Sequence, residues 1–111
     1  MRLPSRVRFA DERLKQAYYS LEKGDAAERE LFKQLTKAFS DLEENAFYGI
    51  RVPKKLIPKY YLKKYVVDNL WKCNLSKGWR LLYSVRSNEL VIISIILEWL
   101  PHKEYERRFG Y

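Results

Sequence analysis

The stretch from Asn69 to Tyr111, NLWKCNLSKGWRLLYSVRSNELVIISIILEWLPHKEYERRFGY, decides the fold. Leu70 to Leu75 puts Trp71, Cys73 and Leu75 on one side of an extended segment. Ser76-Lys77-Gly78 then has the length of a hairpin turn, with glycine where positive φ is often needed. From Trp79 to Arg86 the alternation continues: Trp79, Leu81, Tyr83 and Val85 share one face, and Arg80, Leu82, Ser84 and Arg86 share the other. Ser87-Asn88 supplies a second turn. Leu90 to Leu97 is apolar nearly throughout, which predicts a strand covered on both faces rather than an edge. Beyond it lies a polar tail with the only histidine, His102, then Tyr105, Arg107, Arg108, Phe109 and Tyr111.

Upstream, the pattern changes period. Arg6 to Phe9 alternates charge with bulk and predicts a short strand with Val7 and Phe9 inward. Asp11 stands where a helix N-cap is wanted, and Leu14, Ala17, Tyr18 and Leu21 follow at helical spacing until Lys23-Gly24, where the glycine can take a left-handed C-cap. Asp25 and Glu28 have capping-box spacing and open a second helix with Leu31, Leu35, Ala38, Phe39 and Leu42 on one face. Its Glu28, Glu30, Glu43 and Glu44 form a solvated side.

From Asn45 to Tyr65 the periodicity fades around Gly49, Pro53 and Pro58. Arg51, Lys54, Lys55, Lys59, Lys63 and Lys64 accumulate there among Tyr48, Tyr60, Tyr61 and Tyr65, so the segment is either an ordinary loop with a short helical turn or a nucleic-acid contact. The predicted fold is α+β: an N-terminal strand, an antiparallel helical hairpin, and a three-stranded antiparallel meander forming one sheet with the helices packed on one face. A chain of 111 residues fits one domain, taken as 1–111.

With 47% hydrophobic and 32% charged residues the chain has enough apolar surface to fold. The net charge of +8 predicts an anionic partner, and 9 Tyr with 3 Trp favour RNA or a protein interface, since flat rings stack on bases and anchor interfaces. A single cysteine excludes an internal disulfide and a cysteine-based zinc site, which points to a reducing cytoplasm. No apolar run is long enough to span a bilayer, so no membrane role is expected. Without a P-loop, a His-Glu-x-x-His motif or a nucleophile elbow, no cofactor is expected either.

Cleaving RNA needs a base for the 2′-OH proton, an acid for the leaving oxygen, and positive charge at the phosphate. His102 is the natural proton carrier. Arg80 can fork onto a phosphate if its face is open, or else pair with Glu98 on a neighbouring strand. Tyr105 can stack on a base or steer its hydroxyl to the phosphate. Arg107 and Arg108 add charge at the same end.

Asn69-Leu-Trp-Lys-Cys-Asn-Leu, Trp79-Arg-Leu-Leu-Tyr-Ser-Val, the apolar strand, and His102-Lys-Glu-Tyr105 together resemble the RelE/ParE superfamily of toxins from toxin–antitoxin pairs, nearest its RelE/HigB-like branch. That resemblance implies a ribosome-dependent mRNA endonuclease (mRNA interferase) acting in the decoding site without a metal. It also implies inhibition of translation and neutralisation by an acidic antitoxin in a hetero-oligomer. Carried over by position, it gives Arg80 a phosphate contact, His102 proton transfer and Tyr105 the aromatic role. Lys54, Lys55 and Lys59 match the family's lysines only loosely; with Arg51, Arg86, Arg107 and Arg108 they make up the RNA-binding set. Where RelE itself usually carries an arginine, this chain has Glu98, which as a catalytic residue would act as a base or orient His102. The alternatives are a ParE-like DNA gyrase inhibitor or a catalytically inactive RelE-fold binding protein.

Overall fold

The computed structural model describes residues 2–88 and 90–110. Five strands form one sheet: β1 (Arg6–Phe9), β2 (Ile50–Arg51), β3 (Trp71–Asn74), β4 (Arg80–Ser87) and β5 (Ile92–Leu100), in the order β1-β5-β4-β3-β2. β3, β4 and β5 pair as antiparallel neighbours, but β1 adds to β5 in parallel, with Arg6 opposite Ile93 and Phe9 opposite Ile96. The chain is therefore α+β as expected, although the sheet is mixed and has five strands rather than the three of the meander with one added. A parallel neighbour requires a crossover, and the two helices after β1 begin it.

Those helices are α1 (Glu12–Leu21) and α2 (Ala26–Glu44). Asp11 caps the first, accepting from the Leu14 amide at 2.8 Å. The capping box of the second closes through Asp25 to the Glu28 amide and through Glu28 back to the Asp25 amide. Gly24 does not adopt the left-handed conformation: α1 ends on Glu22 in right-handed geometry. A Cβ on Gly24 would fall 2.6 Å from the Glu28 side chain, so glycine there makes room for the box.

One core joins this hairpin to the sheet. Leu31, Leu35, Ala38, Phe39 and Leu42 of α2 and Tyr18 of α1 pack against Trp71, Cys73, Leu81, Tyr83 and Ile96. The Tyr18 ring stacks on Phe32 and its hydroxyl bonds Thr36, tying the two helices together. The Tyr83 hydroxyl donates to the Ala46 carbonyl at 2.8 Å and accepts from the Gly49 amide at 3.0 Å, which fixes the link from α2 to β2.

The helices do not all lie on one face. The opposite face carries a second core of Val52, Ile57, Tyr61, Val67, Leu70, Leu82, Leu97, Leu100 and Tyr105. Two segments provide it: α3 (Lys59–Tyr65), preceded by a 3-10 turn at Lys54–Leu56 in the stretch expected to hold at most a short helical turn, and α4 (His102–Phe109) in the polar tail, where no helix was expected. Pro58 and Pro101 stand just ahead of these helices, where a missing amide hydrogen costs nothing. Both helices are too short to show several turns of apolar periodicity, which is why the pattern faded there.

β5 carries the one break in strand alternation. Tyr83 pairs with Ile96 but Leu82 pairs with Glu98, so Leu97 is an extra residue. This β-bulge puts Leu97 and Glu98 on the same face, that of α3 and α4, and returns Trp99 to the hairpin core.

α3 ends on Val66 in the left-handed region, at φ 51° and ψ 47°, with the residue 75% exposed. A β-branched residue is strained there, and this one gains little packing in return. Val66→Gly is expected to stabilise the fold by about 1 kcal/mol, read as a higher urea midpoint at unchanged slope.

Candidate functional site

Register places the site. Arg80 opens β4 opposite Leu100, two residues before His102, and Lys72 of β3 pairs with Leu82 on that same face. The turn between β3 and β4 closes through Lys77 and Gly78, both in the left-handed region, at φ 58° and 80°. This turn abuts α4: a Cβ on Gly78 would lie 3.0 Å from the His102 Cβ. The beginning of β4, the end of β5 and the first turn of α4 therefore meet at one end of the sheet.

Tyr105 is the centre of that meeting. It is buried, and its hydroxyl accepts from the Lys72 ammonium at 2.9 Å. The Lys72 Nζ lies 5.1 Å from the ring centroid and the Arg80 guanidinium carbon 5.5 Å from it, so two cations border one ring. Arg80 also donates to the Trp79 carbonyl at 3.1 Å, and among the described residues no carboxylate pairs with Arg80 or Lys72. The alternative pairing of Arg80 with Glu98 is not made. His102 is exposed, and its Nε2 lies 3.1 Å from the Glu106 carboxylate one helical turn on. A carboxylate in that position orients the ring.

Arg80 and Tyr105 are thus brought together, and the first turn of α4 carries His102 to the same end of the sheet, while Glu98 pairs further along α4. The Glu98 carboxylate bonds Arg108 at 2.9 Å and lies beside the buried Tyr61 hydroxyl. Burial, then the neighbouring carboxylate, push the Tyr61 hydroxyl pKa upward, so that phenol stays protonated. Arg108 stacks on Tyr60, with its guanidinium carbon 3.6 Å from the ring centroid. Arg107 pairs with Glu104 at 3.2 Å.

The other basic residues named from sequence are dispersed. Arg86 sits at the far end of β4 and donates to the Val66 carbonyl at 2.9 Å. Arg51 lies on the edge strand β2, 6.0 Å from the Trp71 ring centroid. Lys54 and Lys55 are exposed on the 3-10 turn and Lys59 on α3. Tyr111 lies outside the described residues.

Two members of the cluster escaped the sequence reading. Lys72 was legible as the residue between Trp71 and Cys73, pointing away from their shared face. Glu106 becomes a partner of His102 only once the tail is seen as a helix, where four-residue spacing makes neighbours.

Among the described residues, no three His, Cys, Asp or Glu side chains gather as a metal-binding group, and no helix is long and apolar enough to cross a membrane. Cys73 is buried in the hairpin core, where burial raises its thiol pKa to about 12. Because only the thiolate attacks alkylating reagents, Cys73 is expected to react roughly a thousandfold more slowly than free cysteine at pH 8 in the folded protein, and at the ordinary rate in denaturant. Iodoacetamide labelling followed by mass spectrometry measures this. No protein-family model, curated protein or solved structure matches the chain.

Proposed function

We propose that this chain is a metal-independent endoribonuclease, a toxin of the RelE-like branch that cuts mRNA on the ribosome and is neutralised by an acidic antitoxin. The observation that carries the reading is the Tyr105 ring bordered by Lys72 and Arg80, with His102 at the same end of the sheet. Further support for a RelE-like topology comes from the order of elements: a leading strand, a helical hairpin and an antiparallel β3-β4-β5.

In this reading the Arg80 and Lys72 cations receive the scissile phosphate and offset the charge that grows on its oxygens. The 2′-oxygen forms a bond to phosphorus as its proton leaves, and the bond from phosphorus to the 5′-oxygen breaks as that oxygen gains a proton. The products are a 2′,3′-cyclic phosphate and a 5′-hydroxyl. His102, paired with Glu106, and the Tyr105 hydroxyl, bonded by Lys72, make the two proton transfers in this reading. The exposed lysines of the segment leading into α3, on a chain of net charge +8, suit an RNA-rich or acidic protein surface.

Expression in a bacterial host with mapping of mRNA ends tests this. The native chain is expected to produce codon-linked cuts and growth arrest. Arg80→Ala, Lys72→Ala and His102→Ala each lower cleavage by roughly 10²-fold or more while the fold is retained. If Arg80→Ala and His102→Ala both remain toxic, the site is wrongly assigned. Intact messages with damaged DNA would move the chain to the gyrase-directed alternative.

A further inference from the structure

Glu98 and Arg108, expected in catalysis and in RNA binding, pair with each other at the end of α4. The bulge at Leu97 turns Glu98 off the hairpin face and onto the face of α3 and α4. There its carboxylate, 15% exposed, accepts from the Arg108 Nη1 at 2.9 Å. The same guanidinium covers the Tyr60 ring at 3.6 Å and lies 5.7 Å from the Tyr61 centroid. One side chain on α4 thus ties together β5, α3 and its own helix.

α4 has eight residues, too few to hold helical shape in water by itself. Its first turn is tethered because it continues directly from β5 through Pro101. Its last turn docks through Phe109, whose ring lies 4.5 Å from Tyr105 and 6.1 Å from Tyr61, and through Arg108. His102, Tyr105, Arg108 and Phe109 recur at three- and four-residue spacing, so all lie on one stripe of the helix.

We infer that Glu98 and Arg108 are positioning residues: their ion pair, stacked on Tyr60, latches the last turn of α4 and thereby sets Tyr105 and His102 against Lys72 and Arg80. A pair this shielded from water holds a fixed geometry that a surface pair does not, and the flat guanidinium adds stacking that a lysine cannot supply. The catalytic part of the inference rests on the nuclease reading, whereas the latch itself does not.

Amide hydrogen exchange of the full chain separates the two. In Glu98→Gln and in Arg108→Ala, the amides of α4 are expected to exchange on the order of tenfold faster, with those of Tyr83 and Ile96 unchanged. The double variant should loosen α4 no further than either single one, because both break the same contact. If Arg108→Ala also loosens β4 and β5, Arg108→Lys serves in its place. It keeps the charge but loses the stacking, and α4 should again exchange faster with the sheet intact. In cleavage assays on mRNA bound to programmed ribosomes, the variants should lose roughly 10²-fold in kcat at unchanged KM, because Lys72 and Arg80 still hold the phosphate. Unchanged α4 protection in Glu98→Gln overturns the latch, as does a rise in KM alone with α4 firm, which would make Arg108 an RNA contact. Loosened α4 with no cleavage by the native chain leaves the latch standing and removes the nuclease reading.

Discussion

Leu81, Leu82 and Tyr83 follow one another along β4, point to alternating faces, and are all fully buried. A strand with no wettable side needs cover above and below, and most of the architecture answers that need. The α1–α2 hairpin closes one face with a continuous apolar stripe. The other face is closed piecemeal by α3 and α4, which are short, heavily charged and rich in tyrosine. Long cationic side chains and tyrosines can do this because each has an apolar body and a polar tip. The cover that completes the core therefore also brings charge to the surface above Arg80.

Much of this was legible in the sequence. The alternation of β3 and β4, the apolar run of β5, both N-caps and the hairpin stripe each rest on several successive residues that agree. What was not legible depends on contacts between residues far apart in the chain. The parallel docking of β1 on β5 is set by the crossover and by apolar fit, with Val7 and Phe9 packed on the hairpin core, and no local signal announces it. α4 was hidden because an eight-residue helix with one buried residue, Tyr105, has no apolar stripe of its own to read.

The site was legible to the same degree. Arg80 could be placed by strand alternation and Tyr105 by its three-residue distance from His102; the Arg80 guanidinium borders the Tyr105 ring, and His102 begins the same helix. Glu98 could not be placed, because a bulge reverses strand phase and nothing near Leu97 in sequence marks it. Counted by simple alternation from Ile96, Glu98 belongs on the hairpin face; the extra residue puts it across the sheet, where Arg108 of α4 takes its carboxylate.

The pairing of β1 with β5 also sets an order in time. The first strand to leave the ribosome has to wait for a partner encoded some eighty-five residues later, and the cation-bordered tyrosine belongs to a helix made later still. A nascent chain that ends between Arg80 and β5 carries Arg80 and Lys72 without Tyr105 or His102. Whatever chemistry the finished protein performs is withheld from the ribosome that is still translating it.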